Sequence, residues 1–290
     1  MRFGHFDDAR REYVIATPQT PLPWINYLGS EDFFSLVSNT AGGYSFYRDA
    51  RLRRLTRYRY NSSPLDMDGH HIYIKDGGTV WNPGWQPTKT PLDRYSCRHG
   101  LGYTILEGEK DGICAAQELF VPKGDACELD RLTLTNRSDR PRALDVFSYV
   151  EFCLWDAVDD STNFQRNFST GEVEVEPCAI YHKTEYRERR DHYAVFWSNT
   201  PVTSFDTARD AFCGVYGGPA DPQAVRAGHC SGSIAHGWAP VGALHIHVTL
   251  APGEEKKILF GLGYIENPQE EKFTAPGVIN KTRAHAMMAR

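Results

Sequence analysis

The sequence of 290 residues lacks the features that mark membrane, secreted and nucleic-acid-binding proteins. No apolar run approaches the roughly 20 residues that a transmembrane helix needs, and the start, MRFGHFDDARREYVI, lacks the apolar core of a secretory signal. Lys and Arg number 32 against 37 Asp and Glu, so the net charge of −5 provides no electrostatic footprint for nucleic acid. We therefore expect a cytoplasmic protein with no membrane and no nucleic-acid partner.

Cysteine is present without a pairing pattern. The seven cysteines are odd in number, scattered and free of any CxxC pair, which argues against a disulfide framework and a structural zinc site. We expect them to be buried free thiols that pack as small apolar side chains. They are Cys97, Cys114, Cys127, Cys153, Cys178, Cys213 and Cys230.

Motifs of catalysis and metal binding are also missing. No P-loop, GxSxG or HExxH occurs, and none of the many Asp and Glu lies in a recognisable catalytic motif. His245 and His247 alternate along one predicted strand face and could hold a metal, but no third ligand is evident, so exposed or structural histidines are the preferred interpretation. We assign no catalytic residue and no metal ligand to this chain.

What the sequence does contain is the signature of strands. It has 15 Tyr, 15 Phe and 6 Trp, together with 25 Gly and 17 Pro, which favours strands and turns over helices. Residues 128–136 and 142–152 alternate apolar and polar positions around a turn, which predicts a hairpin with one buried face. Residues 244–250 and 256–264 predict a second hairpin of the same design. Aromatic side chains also suit sugar binding, although most of them are expected to fill the core.

Further short strands complete the pattern of a large antiparallel β-sandwich with long inserted loops. They are predicted at residues 53–60, 70–75, 119–122, 171–176, 179–186 and 192–198. Helical signals are sparse. Residues 31–38 could form one or two helical turns, and in the tail 268–290 the residues Ile279, Arg283, Ala286 and Met287 have helix-like spacing.

Two arginine-rich features lie near the N-terminus. In GGYSFYRD, residues 42–49, two glycines permit a tight turn, after which Tyr47 offers an aromatic face and Arg48 a forked donor. Either Arg48 braces the turn through an ion pair, or the segment is a sugar-facing edge. Arg51, Arg53, Arg54, Arg57 and Arg59 then form an arginine ladder. Ion pairing at a domain interface is preferred over a phosphate site, since acidic residues lie nearby.

The loop at residues 156–167, DAVDDSTNFQRN, is the strongest candidate for ligand recognition. It follows an aromatic strand and carries short polar side chains that suit sugar hydroxyls, among them Asn163, Gln165 and Arg166. A solvated loop is the plain alternative. Calcium binding is disfavoured, because the spacing of an EF-hand loop is missing.

Long strings of the sequence identify a family resemblance. The strings PWINYLGSEDFFSL, AGGYSFYRDARLRRLTRYRYN, RHGLGYT, EFCLWDA and IYHKTEYRERRDHYAVF resemble the N-terminal region of the cellobiose phosphorylases, inverting disaccharide phosphorylases of glycoside hydrolase family 94. The resemblance implies a galactose-mutarotase-like super-β-sandwich over residues 1–267. It also implies that residues 268–290 begin a helical linker to an (α/α)6 catalytic barrel beyond Arg290.

The resemblance further implies an activity. Inorganic phosphate would attack cellobiose at its anomeric carbon and yield α-glucose 1-phosphate and glucose with inversion, without a metal or an organic cofactor. The acid, an aspartate of the barrel, would lie outside this chain, so the fragment alone is predicted to be inactive. The alternative is a free-standing carbohydrate-binding or dimerisation module without catalysis.

Only some of the family's site residues can be matched to positions in this sequence. The family's Gln-Arg pair at the acceptor-sugar end of the active site matches Gln165 and Arg166, with Asn163 nearby, and Tyr47 and Arg48 are weaker candidates for the same wall. The family is usually homodimeric, and the 156–167 loop could serve its own barrel or that of a neighbouring subunit.

Overall fold

The computed structural model describes residues 3–58, 68–162, 170–186, 188–189, 191–237 and 239–290. Within these ranges the chain is built mainly from strands. The strands are β1 (Gly4–Asp7), β2 (Glu12–Ile15), β3 (Ile25–Ser30), β4 (Phe33–Ser38), β5 (Gly43–Tyr47), β6 (Arg54–Thr56), β7 (His71–Asp76), β8 (Thr79–Trp81), β9 (Arg94–His99), β10 (Tyr103–Lys110), β11 (Ile113–Phe120), β12 (Cys127–Asn136), β13 (Arg142–Trp155), β14 (Thr170–Glu176), β15 (Ala179–Tyr186), β16 (Glu188–Arg189), β17 (His192–Ser198), β18 (Ser204–Ala208), β19 (His236–Gly237), β20 (Pro240–Leu250), β21 (Glu255–Glu266), β22 (Phe273–Ala275) and β23 (Val278–Ile279).

Helices are few and short in the described part of the chain. They are α1 (Ala157–Ser161), α2 (Arg209–Cys213), α3 (Gln223–Ala227) and α4 (Thr282–Met288), with a 3-10 turn at Gln269–Glu271. No described helix has the length and apolar character that crossing a bilayer requires.

Two antiparallel sheets form the sandwich. In the described ranges, the larger sheet has twelve strands in the order β1-β2-β9-β10-β11-β12-β21-β17-β15-β14-β19, with β16 paired to β15. The smaller sheet has nine strands, in the order β18-β20-β13-β6-β5-β4-β3, with β7 paired to β13 and to β8. The predicted fold class, mainly β with large antiparallel sheets and a short C-terminal helix, is confirmed.

Both predicted hairpins are wrong, although their strands are placed correctly. Strand β12 pairs with β11 and β21, whereas β13 pairs with β20, β6 and β7 in the other sheet. The chain therefore crosses between the sheets after β12 and again between β20 and β21. Apolar residues of β12 and β13 join one core cluster from opposite sides. Strict alternation requires only that one face be buried, and a crossing satisfies this as well as a hairpin does.

Asn136 holds the two crossings together. Its side-chain nitrogen donates to the carbonyls of Arg140 at 2.8 Å and Leu250 at 3.1 Å, and its side-chain oxygen accepts from the Ser138 backbone at 3.0 Å. Its backbone carbonyl also accepts from Gly253 N at 2.8 Å. One fully buried side chain thus satisfies backbone groups of both turns, which would otherwise be costly to bury.

The two helix predictions need correction. Residues 31–38 are not helical, because Phe33–Ser38 forms β4 between β3 and β5, with Phe33 fully buried in the core. In the tail, Ile279 belongs to β23, which pairs with β22, and the helix begins only at Thr282. Ala284 and Met287 of α4 pack into a cluster on the twelve-stranded sheet, so tertiary packing determines where the tail is helical.

All seven cysteines are free thiols, and six of them are buried, with Cys178 partly exposed. Burial raises the pKa of Cys213 to about 11 and that of Cys127 to about 12. The thiols therefore contribute packing, as expected from their scattered positions.

Candidate functional site

Tyr47, Arg48 and the start of the predicted 156–167 loop lie toward one end of the sandwich, where β5 ends, β6 begins and β13 leads into α1. The turn between β5 and β6 is built by Asp49, whose carboxylate accepts from the backbone of Arg51 and of Leu52, both at 2.8 Å. Ala157 N in turn donates to Arg51 O at 2.7 Å. The structure thereby joins the segment that carries Tyr47 and Arg48 to the beginning of the predicted 156–167 loop.

Tyr47 and Arg48 are braced by neighbours. The Tyr47 ring stacks on Tyr264 of β21, with centroids 4.0 Å apart and planes at 9°. The Arg48 guanidinium carbon lies 5.0 Å from the same ring centroid, and Arg48 donates to Asp32 at 2.8 Å. Arg48 keeps the pKa of Asp32 below its ordinary value. The ion pair that was one of the two alternatives for Arg48 therefore exists, and its partner is Asp32.

The accessible parts of these two residues differ. Arg48 is 62% exposed at its side chain and has donors beyond the one given to Asp32. The Tyr47 ring has Tyr264 stacked on it and Arg48 close by, so a sugar would reach its edge or hydroxyl more readily than a free aromatic face. Of the two, Arg48 is the better placed to bond a ligand.

Arg53 fastens this end to the larger sheet. Its guanidinium donates to Glu266 at 2.6 Å and to the Tyr264 hydroxyl, and that hydroxyl donates to Glu266 at 2.6 Å. Burial alone would raise the pKa of Glu266, but the bonds from Tyr264 and Arg53 hold it below its ordinary value. The Glu266 carboxylate therefore stays charged and joins β21 to the turn before β6.

Arg57 is the centre of a buried ionic cluster. Only 1% of its side chain is exposed; it donates to Asp160 through two nitrogens, at 2.7 and 2.9 Å, and to Glu151 at 3.2 Å. Glu151 also accepts from Arg209 at 3.0 Å and from the Tyr149 hydroxyl at 2.8 Å. Burial opposes ionisation, yet Arg57 and Arg209 hold the pKa of Glu151 below its ordinary value. Two cations and two anions thus balance in the cluster.

The cluster anchors the root of the 156–167 loop. Asp156 caps α1 by accepting from Val158 N at 2.9 Å and Asp159 N at 3.1 Å, and Asp160 is held by Arg57 as described. Asn163, Gln165 and Arg166 themselves lie outside the described residues, as does Arg59 of the arginine ladder.

The arginine ladder resolves into separate contacts within this domain. Arg51 lies 3.8 Å from Asp156, Arg53 bonds Glu266, Arg57 bonds Asp160, and the Arg54 guanidinium carbon is 3.9 Å from the Tyr44 ring centroid. Ion pairing therefore describes three of the four described members, and each acidic partner belongs to this chain. That a domain interface lies here stays a prediction. The sequence missed the partners because Asp160 and Glu151 are about a hundred residues away from Arg57, and no local pattern connects them.

Histidines form two other clusters. His245 and His247 each lie within hydrogen-bond distance of Asp145, at 3.1 and 2.8 Å. Between the sheets, buried His70 lies 3.3 Å from Glu128 and 2.9 Å from the Ser148 hydroxyl. Burial lowers the pKa of His70, but Asp130 and Glu128 outweigh this and raise it above its ordinary value. These clusters crosslink strands and are not connected to the 156–162 segment by any described contact.

Comparison with known proteins places these observations in a family. The family model described as the glycosyl hydrolase 94 supersandwich domain matches residues 11–289. N,N'-diacetylchitobiose phosphorylase from Vibrio proteolyticus is 38% identical over 270 residues, covering 91% of this chain and 33% of the relative. Solabiose phosphorylase from Paenibacillus borealis is 36% identical over 256 residues, covering 87% of this chain and 33% of the relative.

The chain thus spans about a third of the length of the curated relatives it matches. Among solved structures, a putative kojibiose phosphorylase from the human microbiome superposes with a TM-score of 0.53 at 10% identity. The match covers 92% of this chain and 33% of that one. At this identity the superposition shows the fold alone, and it agrees with the two-sheet sandwich.

Proposed function

The chain belongs to the glycosyl hydrolase 94 supersandwich-domain family, and we propose that it is the N-terminal domain of an inverting disaccharide phosphorylase acting on cellobiose. The observation that carries the proposal is the family match over residues 11–289, together with relatives that are phosphorylases about three times as long. Those relatives are named for other disaccharides. Cellobiose is proposed from the runs at 44–60 and 181–196, which resemble the cellobiose branch more closely.

The proposed reaction needs no metal and no organic cofactor. An oxygen of inorganic phosphate forms a bond to the anomeric carbon of cellobiose while the glycosidic carbon–oxygen bond breaks. The departing glucose oxygen takes a proton from a general acid. We place that acid in a catalytic barrel outside residues 1–290, and the enzyme in the cytoplasm as a homodimer.

In this proposal the end of the sandwich that carries Tyr47 and Arg48 supports the acceptor sugar. Gln165 and Arg166, with Asn163, bond hydroxyls of the glucose that leaves, and Arg48 and Tyr47 complete the same wall. Arg57 contributes indirectly, because its two bonds to Asp160 hold the segment from which the loop continues. A site that bonds a hydroxyl rejects a sugar lacking it, since its polar groups would then stay unpaired.

The test is formation of glucose 1-phosphate from cellobiose and phosphate. Residues 1–290 are compared with a chain extended through the remaining reading frame, and only the longer chain is expected to turn over. In the longer chain, Arg166→Ala should raise KM for glucose in the reverse reaction more than it changes kcat. Arg226→Ala is the matched control, because Arg226 is an exposed arginine paired only with Asp221 among the described contacts.

Two results would overturn the proposal. Turnover by residues 1–290 alone would place a catalytic acid inside the sandwich. Cellobiose binding without phosphorolysis by any longer chain would favour the alternative, a free-standing carbohydrate-binding or dimerisation module.

A further inference from the structure

A cavity of about 270 Å³ lies near the start of β5, away from the Tyr47 end. Its residues come from a proline-rich segment, the turn before β5 and the loop after β8. They are Pro18, Gln19, Thr20, Pro21, Leu22, Pro23, Asn39, Thr40, Trp85 and Gln86. Strand β5 is five residues long and rises about 3.3 Å per residue, which places Gly43 and Tyr47 roughly 13 Å apart, and none of its residues lines the cavity.

The chemistry of the lining selects a class of ligand. None of the ten lining residues is ionisable, so the cavity offers no counter-charge to a phosphate, carboxylate or amine. Thr20 and Asn39 already bond backbone groups of Leu22 and Trp24, so the bonds to a ligand are assigned to the amides of Gln19 and Gln86. The indole and the proline rings supply apolar surface. Lys89 lies outside the lining, with its amine 5.9 Å from the Trp85 ring centroid. This combination fits a neutral ligand with hydroxyls on its rim and C–H groups on its face.

The loop that presents Trp85 is rigidly held. Asn82 donates to Ile72 O at 2.7 Å and accepts from the Thr88 hydroxyl at 2.7 Å, which closes the loop against β7. Trp85 N donates to Asn82 O at 3.0 Å. A Cβ on Gly84 would lie 3.0 Å from the Thr40 carbonyl carbon, so glycine lets the loop pack directly on the turn before β5. The cavity wall is therefore preorganised.

Trp85 has an unfavourable backbone conformation for its side chain. Its φ is 72°, in the left-handed region where a bulky residue is strained and glycine is not. The indole is only partly buried, so its packing stabilises the fold less than full burial would and offsets less of the backbone strain. A strained aromatic residue on the wall of a preformed cavity is the kind of outlier from which a functional contact is inferred.

We propose that this cavity binds one pyranose unit of a neutral saccharide. The Trp85 ring lies against the C–H face of the sugar, and the amides of Gln19 and Gln86 bond its hydroxyls. The site is separate from the acceptor wall at the Tyr47 end. It holds a saccharide without taking part in bond cleavage.

The test is titration of residues 1–290 with cellobiose, followed by calorimetry or by NMR of the tryptophan indoles. Trp85→Gly removes the ring and relieves the φ strain, so we expect cellobiose affinity to fall about tenfold or more while the melting temperature is maintained. Trp85→Phe should restore part of the affinity. Gln19→Ala, at an exposed position, should weaken binding without affecting the fold. This variant tests the site even if the Trp85 variants fold poorly.

Controls separate this site from the acceptor wall. Arg226→Ala, at an exposed arginine outside both sites, should leave cellobiose binding by residues 1–290 unchanged, and glucuronate should bind no more tightly than glucose because the lining has no cation. Affinity that is lost in Arg166→Ala but retained in Trp85→Gly would overturn the inference and assign the binding to the acceptor wall. Absence of binding by the unmodified chain, or affinity in both Trp85→Gly and Gln19→Ala that is unchanged from that of the unmodified chain, would overturn it as well.

Discussion

Replacing Arg57 by methionine tests the buried cluster that anchors the 156–162 segment. The change removes three charge-assisted hydrogen bonds, of 2.7, 2.9 and 3.2 Å, from a site where the arginine is 1% exposed. Glu151 keeps Arg209 and Tyr149, whereas Asp160 loses both guanidinium bonds. Removing one partner of a buried ion pair costs about 3–5 kcal/mol, because the other charge stays buried. We expect a loss of this size from the free energy of unfolding.

The assay is urea and thermal unfolding of residues 1–290. At about 2–4 °C per kcal/mol, a loss of about 3–5 kcal/mol lowers Tm by about 6–20 °C. The double variant Arg57→Met with Asp160→Leu should recover most of this loss, since neither charge is then left alone. Arg48→Met is the matched control. It breaks the exposed pair with Asp32 and should leave Tm unchanged within error.

Two outcomes would refute this reasoning. A loss below about 1 kcal/mol for Arg57→Met would be typical of an exposed pair, and would mean that Asp160 finds another partner or reaches solvent. A double variant no more stable than the single one would show that an unpaired Asp160 carboxylate is not the cause of the loss.

Two further predictions concern stability. Because the pKa of His70 is raised in the fold, its protonated form stabilises the fold fully below pH 6.5, and this contribution is lost as the pH rises through the raised pKa. His70→Gln should therefore reduce the decline of the unfolding free energy with pH above 6.5. Urea unfolding at several pH values measures this decline, and the same slope in the variant would contradict the prediction. Gly43 has a φ of 136°, and an added Cβ would lie 1.9 Å from Leu36 O, so Gly43→Ala should cost at least about 1–3 kcal/mol. Gly77→Ala, with positive φ but open space, is the control and should cost less; equal Tm losses would exclude the clash as the cause.

Sequence patterns located the longer strands from β12 onward, whereas β1–β5 and β8–β10 were not predicted. The predicted residues 128–136 and 256–264 fall within β12 and β21, and 171–176 falls within β14. Alternation is a property of a single strand with one buried face, so it can be read without knowing the partner. The helix predicted at 31–38 failed because FFSLVS has no decisive period, and pairing with β3 and β5 makes it a strand.

The candidate site was predictable only in outline. The polar loop and the arginines could be picked out because residue types are visible in the sequence. Their partners could not, since Arg57 meets Asp160 from 103 residues away and Glu151 from 94. Trp85 was also missed, because neither its positive φ nor the cavity it lines leaves a mark in the sequence NPGWQP.

By itself, then, the sequence determined the positions of the longer strands from β12 onward, the β class and, through long specific strings, the family resemblance. Only the tertiary structure decided that the two predicted hairpins are crossings between sheets, that Arg48 pairs with Asp32, and that Arg57 is buried beneath the 156–162 segment. The physical reason is the range of the interactions. A side-chain pattern reports burial along one strand, whereas strand pairing and buried charge pairs depend on which distant segments the whole fold brings together.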